Sequence, residues 1–138
     1  MTATVYIALG SNLGDKSANL LAARAAIAAI METRIVAHTS VEETEPIGPV
    51  HQPTYLNQML AVETSLSPEQ LLSELHVIER QCGRERRERW GPRTLDLDIV
   101  KFGEQVVNTS SLTIPHPEIP NREFWKRQIA ELETVLGE

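Results

Sequence analysis

The sequence predicts an α+β domain, and three observations carry that prediction. Short apolar, β-branched runs alternate with two long amphipathic stretches in the order β-α-β-β-α-β. Gly, Pro, Asn and Asp cluster between those runs, where turns are needed. The chain has 138 residues, which suits one hydrophobic core and leaves no room for two ordinary domains.

Each element follows in turn. Val5 to Leu9 is an apolar run ending at Gly10 and reads as a buried strand. Gly10-Ser11-Asn12-Leu13-Gly14-Asp15 is a turn cluster. Lys16 to Met31 places Leu20, Ala23, Ile27 and Ile30 on one stripe of a helix. Ile35 to Val41 reads as a second strand, and Glu42 to Thr54, with Pro46, Gly48, Pro49 and Pro53, as a stiff loop. Tyr55 to Thr64 is the third strand. In the second helix Ser67 suits the N-cap, Pro68 N1 and Gln70 a capping box, while Gly83 suits C′. Leu71, Leu75, Ile78 and Cys82 form its apolar stripe, with Cys82 a buried helix residue. Arg84 to Pro92 is an arginine-rich loop, and Thr94 to Phe102 the fourth strand. Ile114 to Asn121 holds three prolines and reads as irregular, and Glu123 to Leu136 as a final helix. This order matches the ferredoxin-like pattern: an antiparallel sheet with the two long helices on one face.

Composition narrows the function classes. Apolar residues make up 41 % and charged residues 23 %, a globular balance. The longest apolar run, Ala25 to Met31, is far short of the ~20 residues of a membrane span. The N-terminus carries no secretory pattern, and a lone cysteine excludes an internal disulfide or a multi-cysteine zinc site. A single soluble cytoplasmic domain is expected. Net charge is −6, yet residues 80–93 hold six arginines against two glutamates, a local +4 that leaves −10 elsewhere. An acidic chain is a poor general binder of nucleic acid. The arginine cluster reads either as a solvated basic loop or as a local anion site for a polyphosphate.

Arg93-Thr94-Leu95-Asp96-Leu97-Asp98-Ile99-Val100 is the most informative stretch. Alternation on a strand puts Asp96 and Asp98 on one face and Leu95, Leu97 and Ile99 on the other. Carboxylates at i and i+2, roughly 6.5–7 Å apart, can converge on a hard cation or simply face solvent on an edge strand. Arg93 and the arginine loop directly precede them, as a site that neutralises a polyphosphate requires. Trp90 can anchor that loop or close it as a lid. Thr44 to Pro49 with Tyr55 and Asn57 suits a planar heterocycle, or is an ordinary proline turn. Thr113 to Pro117 with Arg122 and Phe124 offers His116 and Arg122 to phosphate and a second aromatic face. His38, His51 and His76 show no metal-type clustering.

On these residues the sequence resembles the 6-hydroxymethyl-7,8-dihydropterin pyrophosphokinases of folate biosynthesis over about residues 5–124. The resemblance rests on Ala8 to Asp15, on Thr44 with Pro46 and Gly48, on Tyr55-Leu56-Asn57, on Arg89 to Asp98, and on Pro115-His116-Pro117 with Arg122. It implies transfer of pyrophosphate from ATP to the pterin hydroxymethyl oxygen, with release of AMP. It also implies two Mg²⁺ on Asp96 and Asp98. Arg84 and Arg93 would stabilise the transferring phosphates, and Trp90 would close with its loop. Arg86, Ile99, Thr113, His116 and Arg122 would hold ATP. Tyr55 and Phe124 would sandwich the pterin, while Asn57, Thr44 and the backbone near Ile47 read its polar edge. A single domain over 1–138 is expected, with a shortened, divergent C-terminal segment, Trp125-Lys126-Arg127-Gln128 being polar for the family. Expected partners are these two small molecules, with no nucleic acid, no membrane and a monomeric chain. Two other readings remain: a catalytically weak pterin- or nucleotide-binding paralogue, and an RNA-binding module on a ferredoxin-like sheet. The latter would need aromatics spaced along the strands, and the chain has only two each of Phe, Trp and Tyr.

Overall fold

The structure, a computed structural model, describes residues 2–46, 53–82 and 94–137. The readings made for Ile47, His51, Gly83, Arg84, Arg86, Trp90 and Arg93 lie outside the described residues. Strand β1 spans Ala3–Ser11 and helix α1 spans Lys16–Ala28. β2 (Thr33–His38), β3 (Glu42–Thr44) and β4 (Tyr55–Thr64) follow, then α2 (Pro68–Gln81) and β5 (Asp96–Phe102). Two short strands, β6 (Val107–Asn108) and β7 (Thr113–Ile114), a 3₁₀ turn at Ile119–Asn121 and α3 (Glu123–Leu136) complete the order.

The main sheet runs β2-β4-β1-β5 with every pair antiparallel, and β3 pairs with β4. This is the ferredoxin-like α+β arrangement. Side-chain alternation sorts the strands into two cores. Val5, Ile7, Leu9, Leu60, Val62, Leu97 and Ile99 pack against Leu20, Ala23 and Ile27 of α1 and Leu71, Leu75 and Ile78 of α2. Tyr6, Ala8, Met59, Ala61 and Val100 pack on the opposite face with Trp125 and Leu132 of α3. The two long helices therefore share one face, as expected, and α3 covers the other.

Several elements differ from the sequence expectation. α1 stops at Ala28 rather than Met31. The chain reverses there, with Glu32 in the left-handed region at φ 56°, and Glu32 accepts both the N–H and the hydroxyl of Ser65. A tertiary anchor thus ends a helix that Ala and Ile would otherwise continue. β2 ends at His38; at Thr39 the N–H still reaches the Met59 carbonyl at 2.9 Å, but it is the Thr39 hydroxyl oxygen that accepts the Met59 N–H, at 3.0 Å. The loop read from Glu42 begins as strand β3, pairing Glu42, Glu43 and Thr44 with Asn57, Leu56 and Tyr55. Ile114, read as the start of an irregular stretch, ends strand β7, which pairs with β6 in a segment for which the sequence predicted no element. β5 begins at Asp96 instead of Thr94, since β1 pairs with it only from there. Cys82 caps α2 half-buried, and burial pushes its thiol pKa up. Trp125, placed in a polar tail by the sequence, is 2 % exposed and central to the second core.

Other local rules hold. Ser67 accepts the Gln70 N–H at 3.1 Å while Gln70 accepts the Ser67 N–H at 2.8 Å, closing the capping box. α3 ends as expected at Leu136, with Gly137 supplying the left-handed cap at φ 77°. No helix among the described residues is long and apolar enough to cross a membrane.

Candidate active site

Three neighbouring strands build the floor of a cleft on the α3 side of the sheet. Register places Asn57 of β4, Gly10 of β1 and Asp96 of β5 in one row, and Met59, Ala8 and Asp98 in the next. Small residues at the middle of both rows leave a trough between taller flanks. Gly10 is required for a close approach: a Cβ there would lie 3.2 Å from Asn57 Oδ1 and 3.3 Å from Tyr55 Cδ1. The β1–β5 register shifts between Tyr6 and Ile7, so Val100 is an extra residue. The shift lets Asp96, Asp98 and Val100 face α3 while Phe102 returns to the other core.

The turn after β1 holds this floor together. Asn12 Nδ2 donates to the Pro53 carbonyl and Lys16 Nζ to the Thr54 carbonyl, both at 3.1 Å. Asn19 Nδ2 lies within hydrogen-bond distance of Ser11 Oγ, the Leu13 carbonyl and the Thr94 carbonyl. The segments leading into Tyr55 and Asp96 are thus tied to the same turn. Asp15 caps α1 by accepting the Ala18 N–H at 3.1 Å.

The cleft has a volume of about 570 Å³, ample for a small molecule. It brings together Thr44, Tyr55, Asn57, Asp96, Asp98, Ile99, Thr113, His116, Arg122 and Phe124, which is every site residue expected from the sequence that is described. Asn57 is buried and donates its Nδ2 to Thr44 Oγ1, so the pair presents an amide oxygen and a hydroxyl hydrogen. His116 Nδ1 accepts the Glu118 N–H at 3.1 Å. By that hydrogen-bond network, the proton of the neutral ring sits on Nε2, which is 3.6 Å from Asp98 Oδ1. The ring meets Trp125 edge-on at 4.8 Å. The Arg122 guanidinium lies 4.3 Å over the Trp125 ring, and its buried Nε has no hydrogen-bond partner among the described residues. Trp125 therefore backs both the His116 imidazole and the Arg122 guanidinium at the cleft wall, the latter as a cation over its ring face.

The donor set suits a hard cation shared with a substrate. Asp96 and Asp98 offer oxygen alone, and Mg²⁺ is typically held by one or two carboxylates plus substrate phosphates and water. No group of three or more His, Cys, Asp or Glu that could hold a metal by itself occurs among the described residues.

The cleft also includes residues to which the sequence reading gave no role of their own: His76, Glu79, Ser110, Ser111 and Trp125. Their signals were weak. His76 is exposed on α2, so no helix periodicity marks it. Glu79 follows Ile78 at the border of the apolar stripe, and only its burial distinguishes it from a solvated helix acid.

A sheet-borne trough with paired carboxylates, a buried amide beside a hydroxyl, and an imidazole and a guanidinium set against one indole fits a small-molecule group-transfer enzyme. Residues 6–134 match the family described as 7,8-dihydro-6-hydroxymethylpterin-pyrophosphokinase, and the chain belongs to that family. Among its relatives is the 2-amino-4-hydroxy-6-hydroxymethyldihydropteridine pyrophosphokinase of Haemophilus influenzae, 48 % identical over 121 residues, covering 88 % of this chain and 76 % of the relative. The enzymes of the same name from Pseudomonas aeruginosa and Bacillus subtilis are 43 % and 41 % identical. Each alignment covers 96 % of this chain, with 82 % and 79 % of the respective relative.

Proposed function

We propose that this cleft transfers the pyrophosphoryl group of ATP to the hydroxymethyl oxygen of 6-hydroxymethyl-7,8-dihydropterin and releases AMP. The chain is a pyrophosphokinase of folate biosynthesis by its family and its relatives. One observation carries the assignment of the site. Strands β1, β3, β4 and β5, the loop after β7 and the start of α3 converge so that the Asn57–Thr44 pair and the Asp96–Asp98 pair share one trough.

Tyr55 and Phe124 are the aromatic faces for the pterin, and Asn57 Oδ1 with the Thr44 hydroxyl read its polar edge. His116 and Arg122 meet the phosphates of ATP, with Arg122 pre-oriented by its stacking on Trp125. Ile99 and Thr113 lie toward the nucleotide base. Asp96 and Asp98 hold two Mg²⁺, which when bound offset phosphate charge and align the reacting oxygens. Arg84, Arg86, Arg93 and Trp90 act in the same step on the strength of the resemblance alone. In the transfer, the hydroxymethyl oxygen bonds to the β-phosphorus, the bond from that phosphorus to the α,β-bridging oxygen breaks so that this oxygen leaves with AMP, and the hydroxyl proton passes to solvent. The protein's part is positioning and charge compensation. The reading includes a monomeric single domain, 1–138, in the cytoplasm, where ATP is available and a lone cysteine stays reduced.

A coupled assay for AMP tests the proposal. AMP release from ATP should require both the pterin and Mg²⁺, and should stop with EDTA. AMP formed at the same rate without pterin, or none formed with all components, would overturn it.

A further inference from the structure

Glu79 is a buried acid to which the transfer chemistry assigns no part. It belongs to α2, is 3 % exposed, and lines the same cleft as Asp96 and Asp98. Burying a carboxyl group strips its hydration, and a folded chain tolerates this where hydrogen bonds replace the lost water. Here Oε2 accepts the Leu97 N–H at 2.8 Å. Leu97 is the residue between the two aspartates.

The position of β5 gives that bond its meaning. In the order β2-β4-β1-β5 the strand ends the sheet and, among the described residues, pairs with β1 alone. An edge strand turns alternate N–H and C=O groups outward, where no strand restrains them. Glu79 takes the outward Leu97 N–H, and His116 donates its backbone N–H to the Val100 carbonyl at 2.9 Å further along the strand. A helix side chain thus replaces a neighbouring strand at the point where Asp96 and Asp98 leave the backbone.

We propose that Glu79 is a positioning residue for pyrophosphoryl transfer: by holding the Leu97 amide it sets the separation and tilt of the Asp96 and Asp98 carboxylates. The inference rests on the reading of those aspartates as the cation-holding pair. Carboxylates at i and i+2 start roughly 6.5–7 Å apart and must converge, so rotation of the intervening peptide planes swings both at once. A Mg²⁺ site demands near-ideal geometry, and loss of a partner behind the ligands typically costs about 10–100-fold in metal affinity or activity.

Three variants test it. Glu79→Gln keeps an acceptor oxygen of the same reach, Glu79→Asp falls one methylene short, and Glu79→Ala removes the acceptor. Hydrogen exchange at the Leu97 amide is measured in metal-free protein. Calorimetry with Mg²⁺ and α,β-methylene-ATP gives binding, and steady-state assays give kcat, the pterin KM and the Mg²⁺ concentration for half-maximal rate. Glu79→Gln should resemble the wild type. Glu79→Asp and Glu79→Ala should exchange Leu97 faster and need about 10–100-fold more Mg²⁺, with the pterin KM unchanged. If Glu79→Ala does not fold, Glu79→Gln against Glu79→Asp carries the comparison. Faster exchange with unchanged Mg²⁺ dependence would reduce Glu79 to a structural contact and overturn the proposal. So would a Glu79→Gln enzyme as impaired as Glu79→Asp. A wild-type chain that needs no divalent cation, or transfers no pyrophosphate, would instead overturn the functional reading on which this one stands.

Discussion

Replacing Gly10 by alanine is the most direct probe of the trough. The new methyl would sit 3.2 Å from Asn57 Oδ1, 3.3 Å from Tyr55 Cδ1 and 3.6 Å from Tyr55 Cε1. Ordinary carbon contacts are about 3.5–4.0 Å, so these neighbours must retreat by a few tenths of an ångström. Asn57 is buried and tied to Thr44, whereas the Tyr55 ring is half-buried at the cleft and yields more easily. The backbone cost is small because Gly10 does not adopt a left-handed φ. Alanine also lowers the entropy of the unfolded chain, worth about 0.4–1 kcal/mol, which offsets much of the crowding. Stability should therefore change by less than about 1 kcal/mol. Binding should suffer more, since a displaced Tyr55 and a strained Asn57 weaken about one hydrogen bond and one stacking contact. At about 0.5–1.5 kcal/mol for the bond, the pterin KM should rise roughly two- to tenfold. The KM for ATP and kcat should hardly move. Steady-state kinetics with each substrate varied, beside a thermal melt, settles the matter. A raised KM for ATP with an unchanged pterin KM would refute the assignment of this row to the pterin.

Other perturbations separate the parts of the cleft. Asp96→Ala and Asp98→Ala should each remove nearly all turnover, since loss of a metal clamp costs several kcal/mol of transition-state stabilisation, while circular dichroism stays native. Undiminished AMP production in either would exclude the metal role. Trp125→Ala should lower stability by about 3–5 kcal/mol in a denaturant melt, because a fully buried indole leaves a cavity beneath His116 and Arg122. A change under 1 kcal/mol, on the order of a surface substitution, would contradict its place in the second core. Arg127→Ala removes a contact from α3 to Glu42 of β3 at 3.3 Å, where Gln128 Nε2 also reaches the Glu42 carboxylate. Such a half-exposed pair contributes under about 1 kcal/mol, so the melt should barely shift. The pterin KM should nevertheless rise, because β3 carries Thr44; an unchanged value would show that β4 alone holds that strand.

Local patterns in the sequence were enough to establish the β-α-β-β-α-β order of the longer elements, the capping box at Ser67 and Gln70, and the full span of α3 and β4. The same-face relation of Asp96 and Asp98 was equally legible, because strand alternation depends only on neighbours along the chain. Thr44, Tyr55, Asn57, His116 and Arg122, whose identities and sequence order carry the family resemblance, and Phe124, whose role that resemblance implies, could be named from the sequence as well. Tertiary structure decided what depends on meetings between distant segments. Only the register could place Asn57, Gly10 and Asp96 in one row, and only the packing of α3 could turn a polar-looking Trp125-Lys126-Arg127-Gln128 into a core tryptophan and a contact with Glu42. The early end of α1 came from Ser65, more than thirty residues away. Glu79 is the sharpest case: in sequence it is one more acid on an amphipathic helix, and its environment exists only once α2 lies along the open edge of β5. Periodicity is written into one segment at a time, whereas the desolvation of a side chain and the partner that compensates it are set by which segments meet.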